Sequence, residues 1–144
     1  MTKGIIFSIA AGLCISLQGV FNTRLGERLG FWETNTFVHG SGFALTLIIM
    51  FLYGTGNFSG IGEVKKLYLL GGFLGVMIIF SVMNAISALG ATYCIAILLV
   101  TQLVAATVID SFGLFGTPVI RFSMTKLVGL AVMIAGIVIY KLKG

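Results

Sequence analysis

Apolar residues in this chain come in long unbroken runs, without the strict alternation of a strand or the single stripe of a surface helix. Five such runs can be marked, at about 4–22, 32–53, 67–86, 91–112 and 125–141. A run of about 20 apolar residues is long enough to cross the hydrocarbon of a bilayer as a helix. Short polar intervals separate them: Asn22-Thr23-Arg24-Leu25-Gly26-Glu27-Arg28, a glycine-rich loop over 54–66, Ser87-Ala88-Leu89-Gly90, and a final loop that holds the only proline, Pro118. Trp32 and Tyr53 bracket the second run at the depth where half-wet aromatic rings belong. The pattern predicts an all-α membrane protein, one domain over 1–144 built from five transmembrane helices, with the third and fourth as a tight antiparallel pair.

The polar residues inside these runs carry the functional signal. Gln18 and Asn22 are four apart at the end of the first helix, and Asn35 and His39 repeat that spacing at the start of the second. Asn84 closes the third, and Thr92 and Tyr93 open the fourth. Because successive spans alternate in direction, all of these fall toward one side of the membrane, side B, with the N-terminus on side A. Such groups either bond between helices, at about 0.6–2 kcal/mol each, or line a substrate path. Gln102 sits mid-span on a face with Ala105 and Ala106, where another helix or a ligand can come close. Asp110 lies near side A with Arg121 and Lys126, as an ion-pair partner or a coupling group. His39 is the second coupling candidate, since an imidazole titrates near neutrality. Small residues at helix-packing spacing mark contact faces, within or between subunits: Gly12 in helix one, Gly71 and Gly75 in helix three, Gly129 and Gly136 in helix five.

Composition narrows the class. Of the 144 residues 58% are hydrophobic and only 9% charged, against roughly 25% charged in soluble domains. The net charge of +5 sits at helix ends and in loops, where it meets lipid headgroups and does not read as a nucleic-acid surface. Cys14 and Cys94 lie in apolar runs without ligand-spaced neighbours and read as small buried residues. The N-terminal run is too long for a cleaved leader and is expected to stay attached. No catalytic constellation, metal site or cofactor motif is recognisable, so the chain does not read as an enzyme. With no nucleotide-binding motif, uphill transport would draw on an ion gradient or on exchange.

Gln18-Gly19, Asn22-x-Arg24-Leu25-Gly26, Gly71-Gly72-x-Leu74-Gly75, Leu89-Gly90-Ala91 and Gln102-Leu103 with Ile109-Asp110-x-Phe112-Gly113-Leu114-Phe115-Gly116 together resemble the short five-span family of the drug/metabolite transporter superfamily. The resemblance spans nearly the whole chain, and the fourth-helix motif is its most specific part. It implies a multi-pass protein of the bacterial inner (plasma) membrane, a transporter half that exports a solute, and pairing of two units in opposite orientations. One departure matters. The small multidrug resistance cousins carry a first-helix glutamate for proton coupling, whereas Gly4 to Asn22 contains no carboxylate. Proton antiport of cationic drugs is therefore not expected, and Asp110 or His39 would have to supply any coupling.

Charge agrees with an antiparallel homodimer. Side A would carry Lys3, Lys65, Lys66, Arg121 and Lys126 and side B Arg24, Arg28, Lys141 and Lys143, a difference of 5 − 4 = 1. That leaves almost no bias to orient insertion, and helix five offers a small-residue face for pairing. The expectation is a secondary transporter of a small organic solute. A passive facilitator, or the non-transporting half of a heterodimer, are the alternatives.

Overall fold

The computed structural model describes residues 1–121 and 123–142. Its long elements are five helices: α1 (Thr2–Leu29), α2 (Phe31–Tyr53), α3 (Gly71–Leu89), α4 (Ala91–Phe112) and α5 (Met124–Leu142). Short 3-10 turns occupy Phe58–Gly62, Lys66–Leu70 and Leu114–Gly116. All five helices are long and apolar enough to cross a membrane, the third when counted from Lys66 to Leu89. A helix that is apolar all round has no stripe to turn toward a soluble core. Accordingly Phe7, Phe43, Phe51, Phe73 and Val132 stand exposed on the helix surfaces, as lipid-facing residues do. This is an all-α architecture of the five-span membrane class.

α1 does not stop where the polar residues begin. It continues past Asn22, through the stretch expected to be a loop, as far as Leu29. Arginine, leucine and glutamate are good helix formers, Arg24 reaches Glu27 at 3.1 Å, and Arg28 lies at the negative end of the helix dipole. At about 1.5 Å per residue the 28 residues of α1 measure about 42 Å, against about 30 Å of hydrocarbon. Its last turns therefore suit the headgroup layer.

Gly30 alone joins α1 to α2. Its φ of 100 and ψ of 149 belong to a region that residues with a Cβ scarcely enter. Its N–H donates to the Gly26 carbonyl (2.9 Å), and its own carbonyl accepts from the Thr34 N–H (3.1 Å). One residue thus ends one helix and begins the next. Gly90 links α3 to α4 in nearly the same conformation, φ 80 and ψ 156, so the expected break at 87–90 shrinks to that residue.

The chain divides into two compact units, Met1–Ala88 and Leu89–Gly144. In the first, α3 packs on the α1–α2 hairpin where glycines let it come close. A Cβ on Gly19 would lie 2.9 Å from Ile86 Cδ1, and one on Gly26 would strike the Phe31 ring, with Met83 Sδ at 3.5 Å. Met83 and Ile86 are buried, and Trp32 stacks on Phe80 with ring centroids 4.3 Å apart. Of the glycines expected on contact faces, Gly75 meets His39. A Cβ at Gly12, Gly71, Gly129 or Gly136 would find nothing within 4 Å in the chain. Gly19 and Gly26, both outside that expected set, make closer approaches in this unit than Gly75 does.

In the second unit α5 runs beside α4, leaving a groove of about 290 Å³ between Thr92, Ala96 and Leu99 on one helix and Met133, Gly136, Ile137 and Tyr140 on the other. The Lys141 ammonium lies 4.4 Å from the centre of the Tyr93 ring, a cation over the electron-rich face. The end of α4 is capped by the loop that follows it. Gly113, left-handed at φ 60, donates to the Ile109 carbonyl, and the Ile120 N–H donates to that of Asp110 at 2.9 Å. Carbonyls left over at the helix end are thereby met by protein.

Gly30→Ala should lower the unfolding free energy by about 1–3 kcal/mol, because the new methyl meets the Glu33 carboxylate as well as an unfavourable φ. Gly72→Ala, with nothing within 4 Å, should be neutral or stabilising by up to about 1 kcal/mol. Unfolding of both variants by titration with denaturing detergent checks the contrast.

Candidate functional site

Hydroxyls and amides inside a bilayer must find their partners in the protein. Most span hydroxyls do so by donating to the carbonyl one turn back: Ser8 to Gly4, Ser16 to Gly12, Thr23 to Gly19, Thr46 to Gly42, Thr101 to Ile97 and Thr107 to Leu103, at 2.7–2.9 Å. In the first half of α2 Thr36 keeps this habit, donating to Trp32 at 3.0 Å, but its buried neighbours depart from it. Thr34 and Asn35 are 0% and 2% exposed. Yet Thr34 Oγ1, Asn35 Oδ1 and His39 Nε2 are buried without a hydrogen-bond partner among the described residues.

The geometry explains which atoms are left over. Asn35 Nδ2 donates to the Val76 carbonyl of α3 at 2.9 Å. A carbonyl only accepts, so the amide must turn its NH₂ toward α3, and Oδ1 is the atom without a donor. His39 lies one turn further along the same face of α2. Its Cε1 is 3.1 Å, and its Nε2 3.8 Å, from where a Cβ on Gly75 would stand. Gly75 therefore makes room for the imidazole. Asn22 and Thr23 of α1 are buried in the same unit.

The other expected site residues stand elsewhere. Gln18 and Asn84 are exposed on their helices, and Asn84 Nδ2 bonds back to the Phe80 carbonyl at 2.8 Å. Gln102 is exposed near the middle of α4, and no hydrogen bond to its side chain occurs among the described residues. Asp110 is half-buried. The salt bridge found among the described residues is Arg24–Glu27, so Asp110 is paired with neither Arg121 nor Lys126. Next to it, Ser111 Oγ is buried and unpartnered. Asn22 and His39 thus belong to the first unit, as do Gln18 and Asn84, while Gln102 and Asp110 belong to the second.

Thr34 is the residue that spacing arguments passed over. Standing in Glu33-Thr34-Asn35-Thr36 at a helix start, a threonine reads as end-of-helix polarity. The available signal was its phase: Thr34 lies four residues after Gly30, on the side of α2 turned to the tight end of the hairpin.

The chain matches, over residues 4–139, the family model described as "Putative inner membrane exporter, YdcZ", of the drug/metabolite transporter group. The chain belongs to this family. No curated protein and no solved structure matches it. Membership of the YdcZ family agrees with the five membrane-spanning helices and with an inner-membrane protein, and it adds no substrate.

Removing the Asn35–Val76 bond should loosen the α2–α3 contact. Asn35→Ala is expected to cost about 0.6–2 kcal/mol. Asn84→Ala removes only a bond within its own helix and should cost less than about 0.5 kcal/mol. Unfolding in mixed micelles, read by Trp32 fluorescence, gives both values; equal losses would count against a special role for the Asn35 bond.

Proposed function

We propose that the protein is a secondary transporter that exports a small organic solute by alternating access, working as an antiparallel pair of identical copies. The observation that carries this reading is Gln102. Its amide is exposed near the middle of a span and is unbonded within the described chain. Hydrocarbon cannot satisfy it, so a second copy or a solute must. The exporter family to which the chain belongs supports solute over mere packing.

In this reading Gln18, Asn22, His39, Asn84 and Gln102 line the path, and Asp110 or His39 takes part in coupling. The near-equal basic charge of the two sides, 5 against 4, favours insertion both ways round. Two opposed copies then build the inverted repeat that larger transporters encode in one chain. The two-fold axis lies in the membrane plane, so the pairing surface must match itself. The small-residue face of Gly129 and Gly136 on α5 suits that role, since a Cβ added at either would meet nothing within 4 Å and Gly136 borders the groove beside α4.

Gln102→Leu removes the amide at similar bulk. Once a substrate has been found by a solid-supported-membrane screen of metabolites, its flux through this variant should fall about tenfold or more, about 1.4 kcal/mol of transition-state stabilisation. Near-wild-type flux from a folded variant would remove Gln102 from the path.

Orientation has its own test. In a chain with Cys14 and Cys94 replaced by alanine, Ser59→Cys and Leu142→Cys are labelled singly on intact cells with an impermeant thiol reagent. Dual insertion predicts that each site labels in about half of the molecules. Full labelling of one and none of the other means a single orientation, and the antiparallel homodimer is then excluded.

A further inference from the structure

We infer that the α2–α3 contact at Asn35, His39 and Gly75–Val76 is a binding site selective for uncharged solutes that donate hydrogen bonds; the inference deepens, and rests on, the transporter reading above. The polarity of the site follows from its bonding. Asn35 is 2% exposed, and its amide nitrogen donates to the Val76 carbonyl at 2.9 Å. Its other polar atom, the acceptor Oδ1, is buried and without any donor. His39 Nε2, also buried and unpartnered, accepts or donates according to tautomer. An N–H or O–H on the solute answers Asn35, and either kind of group answers His39. Both side chains are held by the neighbouring helix: Asn35 by its bond to Val76, and the imidazole by the space that Gly75 leaves.

The charge class follows from what is absent around these atoms. α3 has no Asp, Glu, Lys or Arg from Gly71 to Leu89, α1 has none from Gly4 to Thr23, and α2 has none from Thr34 to Tyr53, where the imidazole of His39 meets the solute in its neutral form. Of the charged groups nearest in sequence, Arg28 is exposed at the tip of the hairpin and the others have neighbours there. Arg24 pairs with Glu27, and the Glu33 carboxylate packs against Gly30 at the tip of the hairpin. A carboxylate or ammonium ligand would be desolvated here without a counter-ion, a far larger cost than burying a neutral amide or hydroxyl that is hydrogen-bonded. Both orphan atoms are sealed inside the helix contact, so the solute enters only when α2 and α3 part. The arrangement described is the closed one.

The protein carries its own reporter. Trp32, the single tryptophan, lies one turn before Asn35 and stacks on Phe80 of α3 at 4.3 Å, so any parting of the two helices alters its emission. The experiment titrates the chain in lipid nanodiscs with two matched probe series, one on a propyl and one on a cyclohexyl skeleton. Each series holds a primary amide, its N,N-dimethyl amide, the carboxylate and the ammonium. A saturable change in Trp32 emission is expected with a primary amide. Binding should be about tenfold or more weaker for the other three: the dimethyl amide and the carboxylate bring no donor to the buried acceptor, and the ammonium, though a donor, would be buried without a counter-ion. Asn35→Asp should turn the preference toward the ammonium. Near-ultraviolet circular dichroism verifies that the variant keeps its packing, and His39→Gln gives a second reading if it does not. No saturable response to any probe overturns the site. A preference for carboxylate or ammonium in the unaltered chain overturns the neutral class while leaving transport standing. Amide binding as expected, without flux of that amide into proteoliposomes, keeps the site and removes the transporter reading.

Discussion

Hydrocarbon offers a hydrogen-bonding group nothing to bond to, and the structure is arranged around that fact. Helices satisfy their own backbone, and serines and threonines within the spans close on the carbonyl one turn back. The end of α4 is met by its own loop through Gly113 and Ile120. With so much satisfied locally, the groups that are not become legible: Thr34, Asn35 and His39 on α2, Ser111 at the foot of α4, and the exposed amide of Gln102. Functional readings of this chain come from those exceptions.

Packing obeys a related limit. Lipid tails are as apolar as leucine, so apolar exclusion gives helices little reason to associate, and contact must come from close fit. In the first unit the fit is made where Gly19 and Gly26 lack side chains, against Ile86, Val82 and Phe31. A larger residue at Gly19 would press on α3, and one at Gly26 would strike Phe31 at the tip of the hairpin; the Asn35–Val76 bond depends on α3 being near. Small residues elsewhere, at Gly12, Gly71, Gly129 and Gly136, have no such partner in the chain.

The five helices were legible because hydropathy over about 20 residues is a strong, local signal. Ends were less so where polarity and helicity part company: Asn22 to Leu29 looks like a loop by composition but contains no helix breaker before Gly30. Spacing put Gln18, Asn22, Asn35, His39 and Asn84 toward one side of the membrane without telling which turn inward: Asn22 and Asn35 are buried, whereas Gln18 and Asn84 are exposed. Periodicity did not separate the glycines that pack from those that stay open, because Gly19 and Gly26 are seven apart, as Gly129 and Gly136 are; the helix laid against each decides. Nor does a sequence reveal that Asn35 spends its NH₂ on a backbone carbonyl, since that needs the register of α3 against α2.

The one-residue link at Gly30 has a consequence for how the protein is made. Two long apolar helices joined by a single amino acid cannot be handled separately by the insertion machinery. There is no tether for α1 to cross while α2 waits in water, so the two helices are handled as a pair. The charges on that tip, Arg24, Glu27, Arg28 and Glu33, are then carried across or held back together. The fate of the first 53 residues becomes a single event in biogenesis.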